Sequence, residues 1–193
     1  MKSLLPFDEL NALRVLIEDS TEVDEHGKRR FRKIDLEELD ELIYTLMLLS
    51  YMRGNEMADE EVKVVTQIDL GQLQEALDKE YDGKNTSDRV REYYSTGDVE
   101  ALIRVLETET HRMYNTGIYD AGIASKLPVN KTWATMLDDK VRDTHWYLEG
   151  VQVPFEERFY TFDGDNARYP GDFSRAENNV NCRCELFLAP QQA

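Results

Sequence analysis

The apolar positions of the chain fall into two regimes. Up to about residue 126 they recur at helical spacing, and beyond it they alternate or cluster in short runs. The clearest seam is Val99, Ile103, Leu106, Thr110, Met113 and Gly117, at alternating steps of four and three. It predicts one helix, capped by Asp98 and running to about Lys126, with a single packing face. Near its end the small residues Gly117, Ala121 and Ala124 let another element approach closely, and Pro128 closes it.

Upstream, Leu10, Leu13, Leu16 and Ile17 predict a short amphipathic helix over residues 7–19. Asp35-Leu-Glu-Glu38 has the form of a capping box and opens a helix to about Met57. Its apolar positions Leu39, Leu42, Ile43, Leu46, Met47 and Leu49 cover more than one stripe, so several neighbours should bury it. The β-prone run Val62 to Thr66 leads to Asp69, the cap of a helix carrying Leu70, Leu73, Leu77 and Tyr81. A shorter helix follows over residues 87–95, with Val90 and Tyr94 inward and Gly97 as its C-terminal punctuation.

After residue 126 a strand is expected at Thr132 to Met136, then a helix capped by Asp138 and running through Leu148 to Gly150. Val151 to Val153, Arg158 to Phe162 and Cys184 to Leu188 are further strand candidates. Asp163-Gly-Asp165, Tyr169-Pro-Gly-Asp172 and Glu177-Asn-Asn179 separate them as turns. The fold class is therefore α+β, with a helical region at 1–97, a connecting helix at 98–126, and a small module at 127–193 of one short antiparallel sheet and one helix.

With 193 residues, 41% of them hydrophobic, the chain can bury a proper core without disulfides. Its longest apolar run, Leu42 to Leu49, falls well short of the roughly 20 residues of a membrane helix, so no membrane partner is expected. The N-terminus lacks the pattern of a signal peptide, and two cysteines fit a reducing compartment. The product should be made and kept in a cytoplasm. The net charge of −16, concentrated in residues 1–100, disfavours general duplex binding. It fits a solvated helical surface, or an acidic interaction protein such as a DNA mimic. The basic cluster Lys28, Arg29, Arg30, Arg32 and Lys33 reads as an exposed loop or hairpin balancing nearby carboxylates, or as a contact for an acidic partner.

The scarce residue types gather between Lys131 and Cys184. Val141, His145 and Leu148 share one helix face, which turns His145 toward the core. Two readings of it stand. It is a satisfied core histidine, or it joins Cys182 and Cys184 as a zinc ligand with His111, Asp172 or water as the fourth. On an extended strand residues i and i+2 lie roughly 6.5–7 Å apart, whereas two zinc-bound thiolates lie about 3.8 Å apart. The zinc reading therefore requires the cysteine segment to turn sharply. Trp133 and Trp146 are expected to anchor the module's core, Arg142 to pair with Asp143, and Arg183 to meet an acid or a partner. The alternative to a non-enzymatic protein is a metal-dependent nuclease or hydrolase using His145, Cys182 and Cys184; Asp163, Asp165 and Asp172 with His145 would also suit a divalent ion, although their glycine and proline neighbours make turns the simpler account. No nucleophile elbow, phosphate-binding loop or H-E-x-x-H motif is present, so no enzyme is expected and no cofactor beyond that zinc.

Taken in order, these residues resemble a known family. Lys131, Thr132, Trp133 and Thr135 match K-T-W-x-T, and Asp139, Val141, Arg142, His145, Leu148 and Gly150 match D-x-x-V-R-x-x-H-x-x-L-x-G. Pro170, Gly171 and Asp172 form a P-G-D turn, and Asn181, Cys182, Arg183 and Cys184 give N-C-R-C. Upstream, Thr108, Glu109, Tyr114 and Asn115 fit T-E-x-x-x-x-Y-N, with Glu107 where the family often has arginine. The tail is similar to the C-terminal region of phage head morphogenesis proteins, the minor head proteins similar to protein F of phage Mu. The resemblance implies a low-copy virion protein of the inner head, partnered by the portal and other head proteins and supporting head assembly, DNA packaging or genome delivery. It also implies structural or interaction roles for Trp133, Arg142, His145, Trp146, Asp172, Asn181, Arg183, Glu109 and Asn115. Some family members carry toxin domains behind this region; with few residues after Cys184, none is expected here.

Overall fold

The computed structural model describes residues 20–27, 29–31, 36–62, 70–81 and 83–191, with Asn11, Val15 and Ile68 as isolated positions. The expected helix over 7–19, the caps at Asp35 and Asp69 and most of the run 62–66 lie outside the described residues. A β-hairpin comes first, β1 (Thr21–Val23) against β2 (Arg29–Phe31), turning at Gly27 with φ of 77°. Arg30 reaches back to Asp24 at 3.0 Å, and the Phe31 ring lies 5.0 Å from Tyr94. Arg30 of the basic cluster thus lies in a hairpin, with its charge answered locally by Asp24.

Four helices follow: α1 (Leu36–Val62), α2 (Leu70–Asp78), α3 (Thr86–Thr96) and α4 (Val99–Ser125). Asn85 and Asp88 make a reciprocal capping box at the start of α3, and Gly97, left-handed at φ 75°, ends it. Asp98 caps α4 by accepting from the Ala101 amide at 3.0 Å. Helices α1 and α4 cross at two glycines. A Cβ on Gly54 would sit 1.9 Å from the Tyr114 carbonyl oxygen, and one on Gly117 would sit 2.1 Å from that of Tyr51. The small-residue end of α4 is therefore where the two backbones touch.

Beyond α4, β3 (Val129–Ala134) is the centre of a three-stranded antiparallel sheet in the order β4-β3-β7, with β4 at Gln152–Pro154 and β7 at Glu185–Pro190. Trp133 pairs with Leu186 and Lys131 with Leu188. Strand β3 alternates, burying Val129, Lys131 and Trp133 on one face. The single-turn helix α5 (Asp143–Trp146), the small pair β5 (Phe159–Tyr160) and β6 (Asn166–Ala167), and α6 (Ala176–Asn179) complete the module. The architecture is α+β.

The strand expected at 132–136 is displaced toward the N-terminus, and the helix expected from Asp138 contracts to α5. Asp138 instead accepts both guanidinium nitrogens of Arg183, at 2.7 and 2.8 Å, together with the Lys140 amide. That use of its carboxylate competes with a helix cap. Two hydrophobic clusters form. One gathers Leu39, Ile43, Met47, Leu73, Val90 and Leu106; the other gathers Trp133, Phe159, Phe173, Leu186 and both cysteines with Ala58 of α1 and Ile118 of α4. The two long helices run through both.

Candidate functional site

Helix α4 is unusual in burying a polar run: Glu109, Thr110, His111, Arg112, Asn115 and Thr116 are all inside. Three of these six, His111, Asn115 and Thr116, have partners in the module. Asn115 donates through Nδ2 to the carbonyls of His111 (3.2 Å) and Cys184 (3.1 Å) and accepts the Leu186 amide at 2.8 Å. His111 Nε2 donates to the same Cys184 carbonyl at 2.6 Å. Thr108 accepts the Asn181 amide at 3.2 Å, and Thr116 donates to the Tyr169 hydroxyl. The motif on α4 therefore pins the backbone on both sides of the cysteines. Glu109 compensates the buried Arg112, whose Nε lies 2.6 Å away, with Arg89 at 3.7 Å.

The cysteines are held in a turn, not an extended strand. Asn181 is left-handed at φ 57°, the Cys182 amide donates to the Asn179 carbonyl, and β7 begins only at Glu185. That turn brings both sulfurs to one ring atom: His145 Nδ1 lies 3.6 Å from Cys182 Sγ and 3.5 Å from Cys184 Sγ. All three ligand atoms lie within 4.8 Å of one another, the one such convergence among the described residues. His145 is buried, stacked on Phe173 and edge-on to Trp133. The hydrogen bond to Cys184 and the neighbouring His145 bring the Cys182 thiol well below its usual range despite burial. That same hydrogen bond and burial push the Cys184 thiol up.

Neither His111 nor Asp172 belongs to that set. His111 is spent on a carbonyl, and Asp172 binds Arg168 in a fork at 2.8 and 2.9 Å and Lys79 at 2.8 Å. Burial opposes ionisation of Asp172, yet the Arg168 and Lys79 contacts bring its pKa down to about 2. The P-G-D turn so held rests on α4: a Cβ on Gly171 would meet the Arg112 side chain at 3.0 Å, and Tyr81 donates to the Gly171 carbonyl.

Asp163 and Asp165 do not join His145 either. Asp165 accepts from the amides of Asn166, Ser174 and Arg175 and from Asn178, while Asp163 accepts from Thr161 and Asn178. Both brace loops, as their glycine neighbours suggest. Two further expectations need correction. Trp146 is 51% exposed and anchors no core, because a helical step from buried His145 rotates it by about 100°. Arg142 does not pair with Asp143; its guanidinium donates to the carbonyls of Glu177 and Val180, closing the end of α6. Trp133 is fully buried as expected.

Three residues carry more than their sequence announced. Lys131 is buried, donates to the Arg168 carbonyl at 2.9 Å, and lies 5.3–5.6 Å from the ring centres of Tyr119, Phe155 and Phe159. Burial, with Arg158 nearby, brings its pKa down to about 8. Asn178 and Asn179 are buried braces, Asn179 exchanging hydrogen bonds with both backbone groups of Phe173. The only sequence signal for them was a turn-rich Glu-Asn-Asn.

The profile of the Phage Mu protein F like protein family matches residues 61–187, from the end of α1 into β7. That span holds every motif brought together above. The chain belongs to this family. It is 32% identical over 82 residues to the minor head protein GP7 of Bacillus phage SPP1, covering 42% of this chain and 27% of that protein. Over 85 residues it is likewise 32% identical to the NAD(+)–arginine ADP-ribosyltransferase EFV of Enterococcus faecalis (strain ATCC 700802 / V583), covering 42% of this chain and 17% of that one. The chain thus spans about a quarter or less of these curated relatives. No solved structure matches it. In this family member the buried polar face of α4 braces the turns around the cysteines.

Proposed function

We propose that this protein is a minor component of the phage virion head that works by attachment, without catalysis. The portal and neighbouring head proteins are its partners, and DNA packaging or delivery is the process it supports. The observation that carries the reading is a patch of aromatic side chains left in solvent on the family module. Tyr147, Tyr160 and Phe162 are 43%, 65% and 68% exposed, and Trp146 precedes Tyr147 on α5. The Tyr147 and Phe162 rings lie 5.5 Å apart, and the Tyr147 hydroxyl donates to the Tyr160 carbonyl at 3.0 Å, which holds Tyr147 against the segment 160–162. Large rigid aromatics are costly to leave in water and are the residues enriched at interface centres. Family membership and the similarity to a minor head protein support the choice of head proteins as partners.

The test is co-sedimentation of purified protein with portal and head proteins of the same phage, for the wild type and for Trp146→Ala with Phe162→Ala. Loss of two large exposed aromatics should weaken association by about tenfold or more, with the melting temperature unchanged because both side chains are exposed. No association of the wild type, or association indifferent to the double substitution, would overturn the reading.

A further inference from the structure

We propose that His145 Nδ1, Cys182 Sγ and Cys184 Sγ bind one zinc ion, with a water as fourth ligand, and that this ion is a structural clip closing the module. The geometry fits a metal better than it fits bare thiols. A neutral imidazole nitrogen has one lone pair and accepts one well-directed hydrogen bond. Here two sulfurs converge on that one atom at nearly equal distances, 3.5 and 3.6 Å. Around a tetrahedral zinc with Zn–N near 2.05 Å and Zn–S near 2.3 Å, the N···S edge is about 3.6 Å.

The loop is built to hold that arrangement. Residues i and i+2 of an extended strand would keep the sulfurs roughly 6.5–7 Å apart, and left-handed Asn181 breaks the extension. Two donors from α4, Asn115 Nδ2 and His111 Nε2, fix the Cys184 carbonyl. Such outer hydrogen bonds orient metal ligands. Beside the cluster a cleft of about 10 Å³, lined by Met136, Val141, Arg142 and Asn181, has space for about one water. Zinc with two thiolates, imidazole and water is electrically neutral, so burying it avoids the penalty of an isolated charge. Binding displaces the thiol protons to solvent. The ion would join α5 to the turn before β7, elements otherwise linked here through Arg142 and aromatic packing.

The experiment is elemental analysis of the full chain purified without chelators, beside Cys182→Ser and His145→Ala, with cobalt(II) titration of metal-stripped wild type. Expected are about one zinc per chain in the wild type and less than about a tenth in either variant. Cobalt should give a thiolate charge-transfer band with the intense visible bands of a tetrahedral site. If the variants fail to fold, the cobalt spectrum of the wild type decides alone. A folded wild type that holds no stoichiometric metal and takes up no cobalt overturns the proposal, as does metal content equal in the wild type and folded variants. Neither readout depends on whether the protein docks to a phage head.

Discussion

Replacing Gly117 by alanine sets two elementary effects against each other at the crossing of α1 and α4. Alanine in a helix interior is favoured over glycine by about 1 kcal/mol, so helix propensity alone predicts a more stable protein. The crossing predicts the reverse. A Cβ at 117 would lie 2.1 Å from the Tyr51 oxygen and 3.0 Å from the Asn55 nitrogen, where ordinary contact begins at 3.4 Å. Both obstacles are backbone, so no side chain can swing aside. The helices must part by more than an ångström at a contact flanked by buried Met47, Tyr51, Met113 and Ile118. A gap of 0.5–1 Å already forfeits a quarter to a half of each dispersion contact, and overpacking of this kind costs about 1–3 kcal/mol. We expect G117A to be destabilised by about 1 kcal/mol after the propensity gain, a fall in melting temperature of about 2–4 °C for a chain of this size. Adding Gly54→Ala should cost less than its single effect, because one separation relieves both clashes. Thermal melts by circular dichroism read all three proteins. A G117A protein as stable as the wild type, or more so, would refute the crossing.

Two further outcomes follow from buried charge. Burial, opposed by the Leu188 amide at 2.9 Å and helped by Glu185, raises the Glu61 pKa from 4.5 to about 7. The folded state therefore favours the protonated acid, a contribution present below pH 4.5 and lost as pH rises through 7, amounting to about 3 kcal/mol. Glu61→Gln should match the wild type in urea unfolding near pH 4.5 and exceed its stability by up to that amount at pH 8; a difference independent of pH would contradict the assignment. Glu109→Ala leaves the guanidinium of Arg112 buried without its 2.6 Å partner and should cost about 3–5 kcal/mol. The double substitution Glu109→Leu with Arg112→Met should recover most of that loss in the same unfolding assay, and failure to recover would show that the pair does more than compensate charge.

What the sequence disclosed and what it withheld divide along the range of the interaction involved. Helix α4 was legible end to end, since Asp98, the four-three repeat and the residues around Lys126 are local signals, and so was α3 with Gly97. The small residues at 117 and 121 announced a close neighbour but not which one; Gly54, sixty-three positions away, is visible only in three dimensions. Trp146 misled because hydrophobicity implies burial only on average, while the facing of a one-turn helix is set by His145. Lys131 misled in the opposite sense. It lay outside the strand expected at 132–136 and its charge argues for solvent, yet it falls inside β3 on the buried face, among three aromatic rings. The cysteine turn was harder to read because, besides the local bond from the Cys182 amide to the Asn179 carbonyl, the Asn181 amide is held by Thr108 of α4, seventy-three residues away.

The scattered motifs are intelligible once they are paired. Thr108 and Asn115 of α4 have no apolar reason to be on a packing face; each satisfies backbone at residues 181–186. Arg112 likewise lies under Gly171, where a side chain would meet its Cγ, and Thr116 meets Tyr169 at the start of the P-G-D turn. The upstream motif and the two downstream ones are thus halves of one hydrogen-bonded assembly, separated by 53–73 residues of chain. A buried polar group left without its partner costs about 1–3 kcal/mol, so each pairing lost on separating the halves carries about that penalty. Arg142 ties the start of α5 to the carbonyls of Glu177 and Val180 beside this assembly, and the proposed docking would gain from such order, because side chains ordered before a partner arrives lose less entropy when it binds.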